Sequence, residues 1–136
     1  MALKNLSTAI KTLVDLVLPP RCPVSGDVVE RQGMLSAESW AAMEFIASPL
    51  CDVCGIPFEY DTEEAVCAAC LATPPYYARA RAALKYNDTS RDLVMGFKHA
   101  DKLYAVKTFT PLLKRAGGDV LERAEILVPV PLHFWR

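Results

Sequence analysis

Cys51-Asp52-Val53-Cys54-Gly55 and Cys67-Ala68-Ala69-Cys70 form two C-x2-C pairs, and twelve residues separate one pair from the other. The two-residue spacing lets both sulfurs of a pair reach one metal ion, and the glycine relieves the backbone after the second cysteine. Four thiolates from two tight turns therefore predict one tetrahedral Zn²⁺ per chain. Because four cysteines leave no open coordination position, we expect a structural zinc that folds a segment too small to bury its own core.

The alternative interpretation of these cysteines is a pair of disulfides or four unrelated buried thiols. Disulfides need an oxidising compartment. The first 18 residues contain only short apolar runs, broken by Lys11 and Asp15, and no small-residue cleavage site follows them. No stretch approaches the ~18 uninterrupted apolar residues of a membrane span. We therefore predict a cytoplasmic protein without a membrane span.

A second, degenerate copy of the cysteine pattern precedes the first. Cys22-Pro23-Val24-Ser25-Gly26 has the layout of the first C-x2-C-Gly turn, and Ser36-Ala37-Glu38-Ser39 follows after ten residues. Cys22, Ser25, Ser36 and Ser39 thus copy the zinc cysteines, with three sulfurs replaced by hydroxyls. A serine hydroxyl does not ionise near neutral pH, so we predict a metal site that has lost its function. The alternative is four small residues in register by chance, with Cys22 a small buried residue.

Charge divides the chain sharply. Residues 1–75 carry four Lys or Arg against ten Asp or Glu, whereas residues 76–115 carry nine against three. A basic segment of this strength attracts phosphate groups on a nucleotide, a sugar phosphate or a nucleic acid. The alternative is a solvated basic face that docks on the acidic half.

The pattern of apolar residues predicts three parts. An amphipathic helix covers residues 1–20 and stops at Pro19-Pro20, a double zinc ribbon covers residues 21–75, and an α/β segment covers residues 76–136. A helix is predicted between the two cysteine patterns, from Ser39 to Ala47. In the α/β part we predict strands and helices at Tyr77–Tyr86 (strand), Arg91–Lys98 (helix capped from Asn87-Asp88-Thr89-Ser90), Lys102–Ala116 (helix) and Ile126–Pro131 (buried strand).

Several of these motifs, in this order, resemble a known bacterial family. They are the leading helix with its Pro-Pro-x-Cys end, the tandem knuckles, Leu50-Cys51-x2-Cys54-Gly55-x-Pro57-Phe58, Leu84-Lys85-Tyr86, Arg91, Lys98 and Val128-Pro129-Val130-Pro131-Leu132-His133. Over essentially the whole chain they resemble the ComF (competence protein F) family. The resemblance implies a small zinc-ribbon module followed by the beginning of an α/β phosphoribosyltransferase-like domain, with an incomplete parallel sheet.

The family is linked to uptake of transforming DNA, so the resemblance implies single-stranded DNA, a phosphoribosyl ligand or DNA-uptake proteins as partners. The sequence departs from the pattern because three ligands of the first ribbon are lost. It also contains no acidic pair followed by a Thr/Gly loop, the element that holds the phosphates of phosphoribosyl pyrophosphate; Glu63-Glu64 lies inside the zinc loop. We therefore expect no phosphoribosyl transfer by this chain, and such a loop would have to lie beyond Arg136.

Binding residues are predicted in the basic segment, and catalytic residues are not. Lys85, Arg91 and Lys98 could follow a phosphate backbone while Tyr86 stacks on a base; the alternative is a solvated helix face with a half-buried tyrosine. His99 and His133 have no nucleophile or carboxylate at a recognisable spacing. We thus predict a zinc-binding, ComF-like module for single-stranded DNA or a phosphorylated ligand. The alternatives are a phosphoribosyltransferase or an acidic zinc ribbon that binds a basic protein through residues 27–64.

Overall fold

A computed structural model describes residues 14–15, 17–60, 65–100 and 102–130. The predicted amphipathic helix falls mainly on residues 1–13, outside the described residues. The α-helices of the described residues are between four and twelve residues long. Their bounds are Ala37–Ala41 (α1), Ala68–Ala72 (α2), Asp88–His99 (α3), Leu103–Ala105 (a 3-10 turn), Val106–Ala116 (α4) and Gly118–Leu121 (α5).

Two similar units occupy the first half of the described chain. In each, a turn containing C-x2-C or its serine variant is closed by an isolated antiparallel bridge, Arg21 with Val28 and Leu50 with Pro57. Each unit ends in a five-residue helix, α1 in one and α2 in the other. We call residues 21–43 the first ribbon and residues 50–72 the second ribbon.

The hydrophobic core lies between the first ribbon and the helices that follow the second. Its buried members come from both regions: Cys22, Leu35 and Met43 from the ribbon, Leu93 from α3 and Ala105 from the 3-10 turn. Partly buried Phe97 and Phe109 enclose this core, with ring centroids 5.3 Å apart in an edge-to-face contact. The first ribbon therefore takes its apolar partners from residues far along the chain.

Helix α3 begins where the sequence chemistry predicts a helix start. The Asn87 side chain accepts a hydrogen bond from the Ser90 backbone N–H (2.9 Å), and the Ser90 hydroxyl accepts one from the Asn87 N–H (2.8 Å). This reciprocal capping box satisfies two N–H groups that the first turn leaves without partners. The predicted cap is confirmed, although the helix itself is longer than predicted and begins at Asp88. Helix α4 continues through Pro111, inside the predicted span Lys102–Ala116.

The predicted strands do not form a sheet within the described residues. The strand prediction for Tyr77–Tyr86 is wrong, because only Leu84 makes a bridge, with Phe45. The segment instead bonds irregularly along the ribbons, with Ala80 N–H to Val53 O (2.7 Å) and Lys85 N–H to Glu44 O (2.8 Å). The predicted helix over residues 39–47 is also wrong beyond Ala41, because the chain must extend to pair Phe45.

The second strand prediction fails for a different reason. Over its described part, residues 126–130, the chain is irregular, and its four apolar non-proline side chains are 75–88% exposed. A buried parallel strand needs hydrogen-bonding neighbours and covering helices. The described residues offer no sheet for it to enter, so the predicted α/β architecture is not seen there.

Candidate metal centre

Cys51, Cys54, Cys67 and Cys70 converge on one point. Their sulfur atoms all lie within 4.8 Å of one another, and the Sγ atoms of Cys54 and Cys67 are 3.7 Å apart. Zn–S bonds of about 2.3 Å in a tetrahedron put ligand sulfurs roughly 3.8 Å apart. All five cysteines of the chain are free thiols, so no disulfide competes for these sulfurs. The arrangement fits one zinc ion held by four thiolates, as the spacing predicts.

Backbone hydrogen bonds fold both cysteine turns toward this point. The Gly55 N–H bonds to Cys51 O and the Cys51 N–H bonds to Ile56 O, both at 2.9 Å, which closes the first turn. Asp52 N–H donates to Ala65 O at 2.7 Å and fastens the first turn to the second. Cys67 is the N-cap residue of α2, so Cys70 follows on the first turn of a helix. Bonds within residues 51–70 therefore turn the four sulfurs toward one point.

The two buried thiols of the site differ in acidity. Burial raises the pKa of Cys51, but hydrogen bonds from the backbone N–H groups of Cys67, Cys54 and Val53 outweigh it and lower this pKa to about 6. Burial and the neighbouring cysteine sulfurs together raise the pKa of Cys70 to about 12. A zinc ion supplies the positive charge that lets all four ionise.

Arg81 ties this site to the C-terminal helices. Its guanidinium donates to the carbonyls of Asp52 (3.0 Å) and Cys51 (3.5 Å), inside the first cysteine turn. The same group reaches the Asp119 carboxylate in α5 at 2.7 Å, and Arg79 binds that carboxylate at 2.9 Å. Bonds to charged groups are stronger than neutral ones. The arginine therefore holds the zinc turn and α5 in one arrangement.

Sequence reasoning missed this arginine link. Arg81 and Asp119 are 38 residues apart, and no periodicity or motif joins them. Their contact arises only from the tertiary packing of residues 79–81 against the zinc turn. The one sequence signal nearby is Gly55, because a Cβ at that position would lie 2.6 Å from the Ala80 carbonyl oxygen.

The structure also brings together the four residues of the predicted degenerate site. The Cys22 thiol donates to Ser39 Oγ at 3.5 Å, Ser36 Oγ donates to Ser39 Oγ at 2.9 Å, and the Ser25 and Ser36 hydroxyls lie 3.1 Å apart. Cys22 is fully buried and Ser39 nearly so. Burial raises the pKa of Cys22, but hydrogen bonds from Ser25, Ser36 and Ser39 lower it to about 6. One thiol and three hydroxyls thus occupy the places that four thiols hold in the second ribbon.

The predicted phosphate-binding residues lie on and just before α3. Lys85 pairs with Glu44 at 3.7 Å, with both side chains about half exposed. Tyr86 is 74% exposed, so it is not the half-buried tyrosine of the alternative interpretation. Arg91 and Lys98 are exposed on α3 and, seven residues apart, share one face about 10 Å apart along the axis. Of the two histidines, His99 lies in the last turn of α3 and His133 lies outside the described residues.

No helix within the described ranges is long and apolar enough to cross a membrane. Residues 13–71 match the family model of the double zinc ribbon domain. No match to the ComF family or to a phosphoribosyltransferase-like domain was found, and no curated protein or solved structure matches the chain. Within the matched segment, Cys51, Cys54, Cys67 and Cys70 form the zinc-ribbon site.

Proposed function

We propose that this zinc-binding protein binds single-stranded nucleic acid through Tyr86, Arg91 and Lys98. The observation that carries the proposal is the exposed aromatic ring of Tyr86, placed directly before a helix whose exposed face bears two cations. Arg91 and Lys98 make no ion pair within the described part of the chain. Aromatic stacking combined with phosphate-binding cations is the usual means of holding a single strand without sequence preference.

The role of zinc in this proposal is structural. Lys85 and Asn87 contact Glu44, which lies between the two ribbons, and Asn87 caps α3. The ribbons therefore fix the point at which α3 begins and the position of Tyr86 beside it. Binding of nucleic acid would use the helix face, and the metal would not touch the ligand.

A small phosphorylated ligand is the other anion that the sequence suggests. A cleft of about 650 Å³ lies between the second ribbon and helices α4 and α5, and Arg81 and Arg115 are among its lining residues. Two carboxylates, Asp52 and Asp119, line the same cleft, and Arg81 pairs with both. Because these charges balance, the cleft has little net attraction for phosphate. Helix α3 also carries two exposed carboxylates, Asp88 and Asp92, but within the described residues neither pairs with Arg91 or Lys98, so these two cations remain available to an anion.

The other alternative is an acidic zinc ribbon that binds a basic protein through residues 27–64, but two carboxylates of this segment already make contacts within the chain. Glu44 pairs with Lys85, and Asp52 lies 3.9 Å from Arg81. The basic segment therefore neutralises part of the face that a basic partner protein would use. Competence and DNA uptake as the setting, and a phosphoribosyltransferase-like continuation, rest on the ComF resemblance alone.

The test is fluorescence anisotropy of a labelled oligo-dT strand against the zinc-loaded protein. Tyr86→Ala should weaken binding roughly 5- to 150-fold, the range for loss of one stacked base. Arg91→Ala/Lys98→Ala should make the slope of log K against log salt concentration shallower, by about 0.7 for each phosphate that is no longer neutralised. Tyr86→Phe keeps the ring and should bind like the wild type.

A matched control uses helix α4. Lys107 and Lys114 lie on α4 with the same seven-residue spacing and are also exposed. Lys107→Ala/Lys114→Ala removes the same charge and should leave binding nearly unchanged. Equal losses from both double variants, with none from Tyr86→Ala, would show only general attraction by a basic protein and would reject this site.

A further inference from the structure

The two ribbons share the backbone hydrogen bonds that close their first turns. In the first, Cys22 N–H bonds to Asp27 O (2.8 Å) and Gly26 N–H to Cys22 O (2.9 Å). In the second, the bonds from Cys51 to Ile56 and from Gly55 to Cys51 are the equivalent pair, both 2.9 Å. The N-cap residues also agree, with φ −62° and ψ 156° at Ser36 against φ −72° and ψ 156° at Cys67. The first ribbon thus has the backbone of a metal knuckle.

The donor atoms of the first ribbon do not suit zinc. Zinc is held by thiolate, imidazole or carboxylate, and a neutral hydroxyl is none of these. Only Cys22 offers a thiolate. The three hydroxyls instead bond to the thiol and to one another in the chain Cys22–Ser39–Ser36–Ser25. Among the described residues, every buried side-chain nitrogen or oxygen has a hydrogen-bond partner, so the polar centre is satisfied as it stands.

The helices supply further contacts to the first ribbon. Leu93 and Ala105, both fully buried, belong to the same core cluster as Cys22. The Lys102 ammonium donates to the carbonyl of Pro23 at 2.9 Å, and the Thr108 hydroxyl donates to Gly33 O at 2.8 Å. These contacts close the ribbon from outside, which is the task that a structural zinc performs from inside.

We infer that the hydroxyl cluster, together with the core formed by α3 and the 3-10 turn, has replaced zinc in the first ribbon. The two ribbons therefore respond differently to metal removal: the first keeps its fold, and the second loses its fold. The first ribbon also keeps the geometry of a four-ligand site, so restoring sulfur at three positions creates a second zinc site.

The first test is chelation of the native-length protein with Trp40 as a local reporter. Trp40 lies in α1 of the first ribbon, with its ring centroid 4.6 Å from that of Phe45. The chain has two tryptophans, so Trp135→Phe leaves Trp40 as the single emitter. When a chelator removes zinc, we expect Trp40 emission to stay native while amide protection in residues 50–72 is lost. Unfolding of Trp40 together with zinc release would overturn the inference.

The second test restores the sulfurs. Native mass spectrometry of Ser25→Cys/Ser36→Cys/Ser39→Cys should find two zinc ions, against one in the wild type. Adding Cys22→Ser to this variant should remove the extra ion, because three thiolates remain. If Trp40 emission shows that the triple variant is folded but the variant holds a single zinc, the first ribbon has not kept the geometry of a four-ligand site. The chelation test leaves the hydroxyl cluster of the first ribbon unchanged. It therefore decides whether this ribbon folds without zinc even if the triple variant does not fold.

Discussion

Gly55 and Gly26 occupy equivalent positions in the two ribbons, which makes them a matched pair for measuring one close contact. Both have positive φ, 72° at Gly55 and 80° at Gly26. An L-residue in this left-handed region costs about 1–2 kcal/mol. Alanine at Gly26 would meet no atom within 4 Å, whereas its Cβ at Gly55 would lie 2.6 Å from the Ala80 carbonyl oxygen. The two substitutions therefore share the backbone cost and differ in the collision.

Ala80 has little freedom to withdraw from that collision. Its N–H bonds to Val53 O at 2.7 Å, and its carbonyl accepts from Arg81 at 2.8 Å. Overpacking of this kind adds about 1–3 kcal/mol. We expect Gly26→Ala to lower the free energy of unfolding by about 1–2 kcal/mol, the backbone cost alone. Gly55→Ala should lower it by about 2–5 kcal/mol, the sum of both costs.

The measurement is urea unfolding followed by circular dichroism at pH 7, with free zinc held constant by a metal buffer. Zinc content by native mass spectrometry confirms that each variant starts fully loaded, because ligand binding adds to apparent stability. Equal losses for the two variants would refute the reasoning, since they would show that residues 79–81 move away without cost. A larger loss for Gly26→Ala would refute it more strongly.

Three further predictions concern the core, the arginine link and the metal. Leu93→Ala should cost about 2–5 kcal/mol in urea unfolding because Leu93 is fully buried, whereas the partly exposed Val94→Ala should cost about 1 kcal/mol or less; equal costs would contradict the core. Burial raises the pKa of Asp119, but Arg81 and Arg79 outweigh it and lower this pKa below 3.8. A carboxyl group with a lowered pKa stabilises the fold at every pH above its ordinary pKa, and this stabilisation is lost in acid. Asp119→Asn should therefore lower the unfolding midpoint by a constant amount from about pH 8 to 5. A difference between wild type and variant that disappears within that range would argue against the ion pairs. Because burial and the neighbouring sulfurs raise the pKa of Cys70, zinc binding should release protons and become tighter as pH rises. Binding enthalpies from calorimetry that do not depend on the buffer would exclude this proton release.

Local chemistry was readable from the sequence wherever the deciding atoms lie within a few residues of one another. The spacing of Cys51, Cys54, Cys67 and Cys70 predicts the zinc site because each pair closes one turn. The helix start at Asn87 is equally local, since the cap and its partner Ser90 are three residues apart. In both cases the backbone needs no distant partner to adopt the predicted form.

Predictions failed where an apolar run needed an unspecified neighbour. Residues 126–130 have the composition of a buried strand, but composition does not say what covers or pairs with them. Residues 77–86 have the alternation of a strand, yet Arg79 and Arg81 turn toward Asp119 and the backbone follows the ribbons. Tertiary contacts between distant residues decided both segments.

The hydrophobic core between the first ribbon and the later helices also sets the order in which the two ribbons can fold during synthesis. The four zinc ligands of the second ribbon all lie within residues 51–70, so they can close around zinc soon after residue 72 leaves the ribosome, before Ala80 and Arg81 add their bonds. The first ribbon must wait for partners made much later, since Lys102 is 79 residues beyond Pro23 and Thr108 is 75 beyond Gly33. At about 5–20 residues per second, this delay lasts several seconds. The part of the domain that is made first is therefore the part that is finished last, and a chaperone would meet it while its apolar face is still bare.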